Sequence, residues 1–330
     1  MHITIGTRAS KLAMIQTQWV VQQLRQQWTD LEVTIEQIHT KGDRVTDVPL
    51  THIGGDGVFV TEIEHALHER RIDLAVHSLK DLPTAQPEGL CIIVTGPRED
   101  VRDVFISRIP FHIANGYLQT NPDSQYGGAL RIGTCSLRRT AQIRSLCPDA
   151  SILPLRGNID TRLRKLDTLD YDGIILASAG LHRMNLQEGL SKRLTYFPVD
   201  LMMPAPGQGA LALECRDEPE VLALLAPLQD LTVQAATTAE RMFMRRLGAG
   251  CYLPVAAYGE IIEGVLTLHG LVISLDGIRR IHVQQSMPWT SASLLADAER
   301  LGAQLAELAL EEGANEIIDA LIPTQERLHV

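Results

Sequence analysis

Arg131-Ile-Gly-Thr134-Cys-Ser136 repeats a phrase met near the start of the chain, Ile5-Gly-Thr7-Arg-Ala-Ser10. In each place a short apolar run reads as a buried strand, Gly-Thr closes it, and a helix opens after the serine. Around the first copy, Ile3–Ile5 is the strand and the helix runs to about Gln27. A second strand follows at Glu32–His39, then helical spacing through Val58, Phe59, Ile63, Ala66 and Leu67. The strand Asp73–His77 leads into Ser78-Leu-Lys80-Asp81-Leu-Pro83. Around the second copy come strand Ile152–Leu155, loop Arg156-Gly-Asn158, helix Ile159–Leu169 and strand Gly173–Ala177, which runs into Ser178-Ala-Gly180-Leu-His-Arg183. Strands alternating with helices in this way predict parallel α/β units. Two such units predict two similar domains facing each other across a cleft. Arg8 and Ser10 then occupy helix starts equivalent to those of Ser136, Arg138 and Arg139.

The rest of the chain has another character. Pro204-Ala-Pro-Gly-Gln-Gly209 is either a linker or a crossover that returns the chain to the first domain through the apolar strand Ala210–Leu213. Beyond it, helix Ala235–Leu247 precedes a meander of Val255–Glu260, Val265–Ser274 and Ile278–Gln285, with Glu263-Gly264 and Asp276-Gly277 as turns. A long amphipathic helix follows, with Leu294, Leu295, Leu301, Leu305 and Leu308 on one face and Gly313 as its stop. This is a small α+β domain. The expected divisions are 1–100 with 201–225, 101–200, and 229–330. Thr40 to Gly57, ending Gly54-Gly-Asp-Gly57, reads as a lid.

Charge points to the ligand. The chain has 330 residues and a formal net charge of −10, yet positions 131–165 carry seven arginines and one lysine against only Asp149 and Asp160. Of the 30 basic residues in the chain, 25 are arginine. Arginine's rigid fork donates two parallel hydrogen bonds to a planar carboxylate or phosphate. Arg138, Arg139, Arg156 and Arg162 fall where strands give way to loops and helices, the natural place for an anion. Arg144 and Arg164 read as ordinary helix-face charges. A small polyanion is the expected ligand.

Other classes fit poorly. An acidic chain with 4% aromatic residues offers neither a basic footprint nor a stacking platform for nucleic acid. No apolar run is long enough to span a bilayer, and Met1–Arg8 has no signal-peptide core. Five cysteines without a CxxC pair fit neither a disulfide framework nor a zinc site, so a reducing cytoplasm is the expected compartment and no metal is expected. His65 and His68 read as helix-surface residues. Lys80-Asp81 lies at the carboxyl end of a strand, where open α/β sheets place their sites. A surface ion pair is the competing reading. Cys251, in Leu247-Gly-Ala-Gly-Cys-Tyr-Leu-Pro254, is either a buried structural cysteine or a thiol with room for an attached group, with Arg245 and Arg246 near enough to favour its thiolate.

Ala75-Val-His-Ser-Leu-Lys-Asp-Leu-Pro83, Gly133-Thr-Cys-Ser-Leu-Arg-Arg139, Leu155-Arg-Gly-Asn158 with Thr161-Arg162, Pro206-Gly-Gln-Gly209 and Gly250-Cys251 occur in this order along the chain. Together they resemble the porphobilinogen deaminase (hydroxymethylbilane synthase) family, over essentially the whole length. The resemblance implies two periplasmic-binding-protein-like α/β domains around a cleft, plus a small C-terminal α+β domain with a three-stranded antiparallel sheet. It implies a monomeric cytoplasmic transferase of tetrapyrrole biosynthesis that condenses four porphobilinogen molecules with loss of ammonia. The growing chain is held on a dipyrromethane cofactor, attached through Cys251 as a thioether, and linear hydroxymethylbilane is released by hydrolysis. Each pyrrole bears an acetate and a propionate, which accounts for the arginines. Asp81 matches the catalytic carboxylate. Arg8, Ser10, Lys80, Thr134, Ser136, Arg138, Arg139, Arg156, Arg162 and Arg183 match the groups that hold cofactor and substrate. Two positions depart from the pattern: Cys135 stands where the family often has serine, and Asp56 lies in the glycine loop where many relatives carry a base. The rivals are a non-enzymatic, two-lobed anion-binding protein and a nucleic-acid regulator with an anion-sensing domain; the latter would need a basic recognition helix that the sequence lacks.

Overall fold

A computed structural model describes residues 1–40, 60–120, 129–168, 171–248, 253–290 and 292–321. The chain opens with β1 (His2–Arg8), α1 (Lys11–Gln27), β2 (Glu32–Ile38), α2 (Thr61–His68), β3 (Leu74–Ser78) and β4 (Leu90–Thr95). Ser10 starts α1 because its hydroxyl accepts from the Ala13 amide at 3.3 Å, satisfying a donor the helix leaves open. Val20, Val21 and Leu24 then recur on one side of α1 and pack on Ile3, Ile5, Leu74, Val76 and Ile93 of the sheet. Each such side chain contributes about 1.5–3 kcal/mol on burial. His65 and His68 are exposed on α2, as the spacing predicts.

A second run carries β5 (Asp103–Ser107), the hairpin β6 (Phe111–Ala114) and β7 (Tyr117–Thr120), β8 (Arg131–Gly133), α3 (Leu137–Leu146), β9 (Ser151–Leu153), α4 (Ile159–Thr168), β10 (Gly173–Ala177), α5 (Ser178–Arg183) and β11 (Leu194–Tyr196). The chain then returns to the first sheet as β12 (Leu211–Arg216), followed by α6 (Pro219–Leu225). The two five-stranded sheets have the orders β2-β1-β3-β12-β4 and β11-β5-β10-β8-β9. β12 lies antiparallel between β3 and β4, with Leu211 opposite both Ser78 and Thr95. Pro204–Gly209 is therefore a crossover rather than a free linker. Gly209 (φ 88°) has a reason to lack a side chain, because a Cβ there would lie 2.3 Å from the Glu99 carbonyl.

The remainder is α7 (Leu231–Arg246), the antiparallel sheet β13 (Val255–Ile262), β14 (Val265–Ile273) and β15 (Arg280–Pro288), then α8 (Leu295–Glu311) and α9 (Ala314–Asp319). α7 begins earlier than hydrophobic spacing predicts. The Asp230 carboxylate caps it, accepting from the Thr232 and Val233 amides at 3.0 Å. Phe243, Leu268, Leu301 and Leu305 fill this core, but Leu294 stands before α8 and is exposed. The expected lid at 40–57 lies outside the described residues from position 41 onward, as does Asp56.

Candidate active site

Parallel strands bring the site together by their carboxyl ends. β1 and β3 are neighbours, with Ile5 opposite Leu74 and Gly6 opposite Ala75. Arg8 closes β1, Ser10 caps the helix after it, and Lys80 and Asp81 share the short turn Leu79–Asp81 that follows β3. Leu79 and Leu82 anchor that turn in the core, which leaves Asp81 exposed and Lys80 part-buried. In the second sheet β8 lies parallel to both β9 and β10. Thr134 and Ser136 follow β8, Arg156 follows β9, and Arg183 ends the helix after β10. The Thr134 hydroxyl accepts from the Ser136 amide at 3.1 Å, and Ser136 accepts from the Arg139 amide at 3.4 Å. The two α/β units meet nearby, where Leu12 at the start of α1 lies near Gly180 of α5.

Beneath these ends runs a buried polar network. Asp103, on β5, has no exposed surface. Its Oδ1 accepts from Arg139 Nε (3.2 Å) and Nη2 (2.7 Å), and Oδ2 lies 2.8 Å from Arg138 Nη1. Arg138 also donates to the Met203 carbonyl at 2.7 Å, and Arg139 to the Ile175 carbonyl at 3.1 Å. Burial pushes the Asp103 carboxyl up, but the two guanidiniums outweigh it and hold the group well below the usual carboxylate range. Gln208, on the crossover, donates to Asp103 Oδ1 at 3.0 Å and accepts from Lys80 Nζ at 3.3 Å. One chain of contacts thus links Lys80 at the first sheet to Arg138 and Arg139 at the second.

The electrostatics follow from that crowding. Burial and then the charge of Arg139 lower the Lys80 ammonium to about 8, although Asp81 and Asp103 pull it back up. Burial and Arg139 likewise lower Arg162, whose Nε donates to the Gly157 carbonyl at 2.7 Å. Arg156 adds to the same repulsion, and Asp81 opposes it. Arg183 is lowered to about 10, chiefly by burial, and donates to the Gly209 carbonyl at 2.7 Å. Five cations (Lys80, Arg138, Arg139, Arg156 and Arg162) therefore surround two carboxylates, Asp81 and Asp103. A surplus of buried and part-buried cations that raise one another's energy is a donor set suited to an anion bearing several carboxylates. Asp81 is the exposed acid among them.

The third sheet's helix braces this site. Glu240 of α7 is fully buried and accepts from Arg98 Nη1 (2.7 Å), Arg98 Nη2 (3.0 Å) and the amides of Gly207 and Gly259 (both 2.7 Å). Arg241, one residue on, donates to the carbonyls of Leu82 (3.1 Å) and Pro83 (2.6 Å). α7 thereby fixes both the crossover that carries Gln208 and the turn that carries Asp81.

Some expectations need correction. Arg144 is not a solvent-facing charge: its Nη1 donates to the Leu275 carbonyl at 2.7 Å, and the neighbouring Ser145 hydroxyl donates to Gly277 at 2.6 Å, so this part of α3 is seated on the β14–β15 turn. Arg164 is exposed as expected, and Arg246 pairs with Glu307 at 2.6 Å. Cys135 is exposed and close enough to Arg162 for their charges to interact. Cys251 lies outside the described residues. Asp103, Gln208, Glu240 and Arg241 join the site's network from outside the set of candidate site residues. Gln208 falls within the Pro206–Gly209 motif and was legible as a candidate, but nothing local distinguishes Asp103 from Glu99 and Asp100.

The family model "Porphobilinogen deaminase, dipyromethane cofactor binding domain" matches residues 3–223, and that of the "Porphobilinogen deaminase, C-terminal domain" matches 234–311. The chain belongs to the porphobilinogen deaminase family. It is 46% identical to the porphobilinogen deaminase of Syntrophotalea carbinolica, covering 97% of this chain and 96% of the relative. Identity to the porphobilinogen deaminase of Geobacillus kaustophilus is 43%, covering 96% and 97%. Among solved structures it is similar to a regulatory domain of OxyR2 from Vibrio vulnificus, at 12% identity and a TM-score of 0.40 over 69% of this chain and 92% of that one. A porphobilinogen deaminase carries a dipyrromethane, and the cation surplus described above fits that group's acetates and propionates. No helix among the described residues is long and apolar enough to cross a membrane.

Proposed function

We propose that this chain is a hydroxymethylbilane synthase. It condenses four porphobilinogen molecules, releases one ammonia per condensation, and frees the linear tetrapyrrole with one water. The observation that carries the reading is Asp81, an exposed carboxylate fixed in a strand-end turn and opposed by Lys80 beside it and by Arg162 from the second α/β unit. When bound, the dipyrromethane supplies a nucleophilic pyrrole carbon and a tether, with Cys251 as its attachment point. Arg8, Ser10, Lys80, Thr134, Ser136, Arg156, Arg162 and Arg183 hold carboxylates of cofactor and substrate. Arg138 and Arg139 belong to the same set and also spend donors on Asp103. Asp81 stabilises the positive charge that develops on a substrate pyrrole as ammonia departs, and it accepts a proton afterwards. The working unit is a cytoplasmic monomer with divisions at 1–100 plus 201–225, 101–200 and 229–330. Incubation of the purified protein with porphobilinogen, with ammonia assayed, tests this. One ammonia per porphobilinogen consumed is expected; porphobilinogen binding without ammonia release would leave only a two-lobed anion-binding protein.

Two further results follow from the site. Because the Lys80 ammonium loses its proton near pH 8, KM for porphobilinogen should rise as pH passes upward through about 8. Lys80→Gln should raise KM at neutral pH and lose that step; an unchanged profile in the variant would remove Lys80 from carboxylate binding. Arg156→Lys should cost roughly 1.5–3 kcal/mol, on the order of tenfold to a hundredfold in kcat/KM, since a point charge cannot replace the fork. Arg164→Lys, on an exposed face, should be nearly silent. Equal effects at the two positions would show that strand-end placement carries no functional meaning.

A further inference from the structure

Cys91 on β4 and Cys215 on β12 stand directly opposite each other in antiparallel register, with their sulfurs 3.5 Å apart. Directly opposed residues of an antiparallel pair have Cα atoms about 4.5–5.5 Å apart, within the range a disulfide spans. Cys215 is fully buried in the core shared with α1 and α6, while Cys91 packs at its margin and keeps part of its surface open. The site described above makes no use of either thiol. On β12, Leu211 is opposite Ser78, beside the Lys80 turn, whereas Cys215 is opposite Leu74 at the other end of β3.

We propose that Cys91 and Cys215 form a reversible dithiol–disulfide site, closed by a peroxide-class oxidant and reopened by a thiol reductant. Cys91 is the sulfur that meets the oxidant, because it alone of the two is open to solvent. The hydrogen bond with Cys215 lowers the Cys91 thiol, although burial and the charges of Asp217 and Glu214 oppose this; the same contact and burial push Cys215 up. Cys91 attacks a peroxide oxygen: an S–O bond forms, the O–O bond breaks, and with hydrogen peroxide one water leaves. The Cys215 sulfur then attacks the Cys91 sulfur: the S–S bond forms, the S–O bond breaks, and a second water leaves carrying the Cys215 proton. Two thiols lose two electrons and the peroxide gains them. Closure ties together residues 124 apart in sequence, which restricts the unfolded chain. It does so away from the carboxyl ends of β1 and β3 that carry the site, so catalysis is left intact.

The test uses the cofactor-loaded full chain in a Cys135→Ser background, so that oxidation of that exposed thiol does not interfere. After one equivalent of hydrogen peroxide and alkylation of the remaining thiols, the intact mass should fall by two hydrogens before alkyl groups are counted. A tryptic map should show the Cys91 and Cys215 peptides linked. The midpoint of thermal unfolding should rise by several degrees, porphobilinogen consumption should be unchanged, and dithiothreitol should reverse both mass and midpoint. Cys91→Ser, at a part-exposed position, should abolish the link and the shift; Cys215→Ala should do the same. A link through Cys147, or an oxygen adduct on Cys91 without a link, would overturn the proposal.

Discussion

Asp81→Asn should lower turnover at least about 10²–10³-fold while the protein stays folded and loaded with cofactor. Asparagine keeps the size and one acceptor but removes the charge and the proton-accepting group. The turn itself is held by buried Leu79 and Leu82 and by Arg241, whose two donors reach the Leu82 and Pro83 carbonyls, so the backbone does not depend on the Asp81 carboxylate. What is lost is the exposed anion opposing the charges of Lys80 and Arg162. A substrate pyrrole that becomes cationic would then face cations with no exposed counter-charge. Asp81→Glu keeps the charge, moves it by one methylene and should retain part of the activity. Porphobilinogen consumption measured beside the intact mass decides the matter: a loaded Asn variant with near wild-type turnover would remove Asp81 from the mechanism.

Cys251→Ala should have no attached pyrroles and no activity. The core of its unit is built from Phe243, Leu253, Val255, Leu268, Leu301 and Leu305, so the variant should fold and melt close to the parent. The competing thiol is Cys135, exposed beside Arg162. A tryptic map that located the adduct on Cys135, or an active Cys251→Ala protein, would refute the attachment assigned to Cys251.

The paired Gly-Thr openings made both α/β units legible, because a strand closing on a small-residue turn and a capped helix is written in adjacent residues. Lys80, Asp81, Ser136 and Arg156 read as candidates for the same reason, since each follows a strand whose apolar run marks its end, whereas Thr134 and Arg183 enter only through the family resemblance. The return of β12 between β3 and β4 was left open by the sequence, since pairing between strands far apart in the chain has no local signature. β4, β5 and the β6–β7 hairpin are not legible in the same way, since they lie between Pro83 and Arg131 where no helix-bearing repeat marks them. Helical spacing alone does not reveal the role of Arg144, because its partner, the Leu275 carbonyl, belongs to a turn more than a hundred residues away. Arg138 and Arg139 were read as ligand contacts alone; their burial on Asp103 depends on β5 packing beside β10, a tertiary fact. Gln208 and Glu240 act through the crossover and α7, and their partners come from separate units of the chain.

The most direct measurement of the central claim is the intact mass of the purified chain, before and after a brief pulse of limiting porphobilinogen. The expected result is a starting mass greater than the sequence by one dipyrromethane, then a ladder of species each heavier by one deaminated porphobilinogen and ending at four additions. Turnover of porphobilinogen by a chain whose mass stays at the bare sequence value throughout would contradict it.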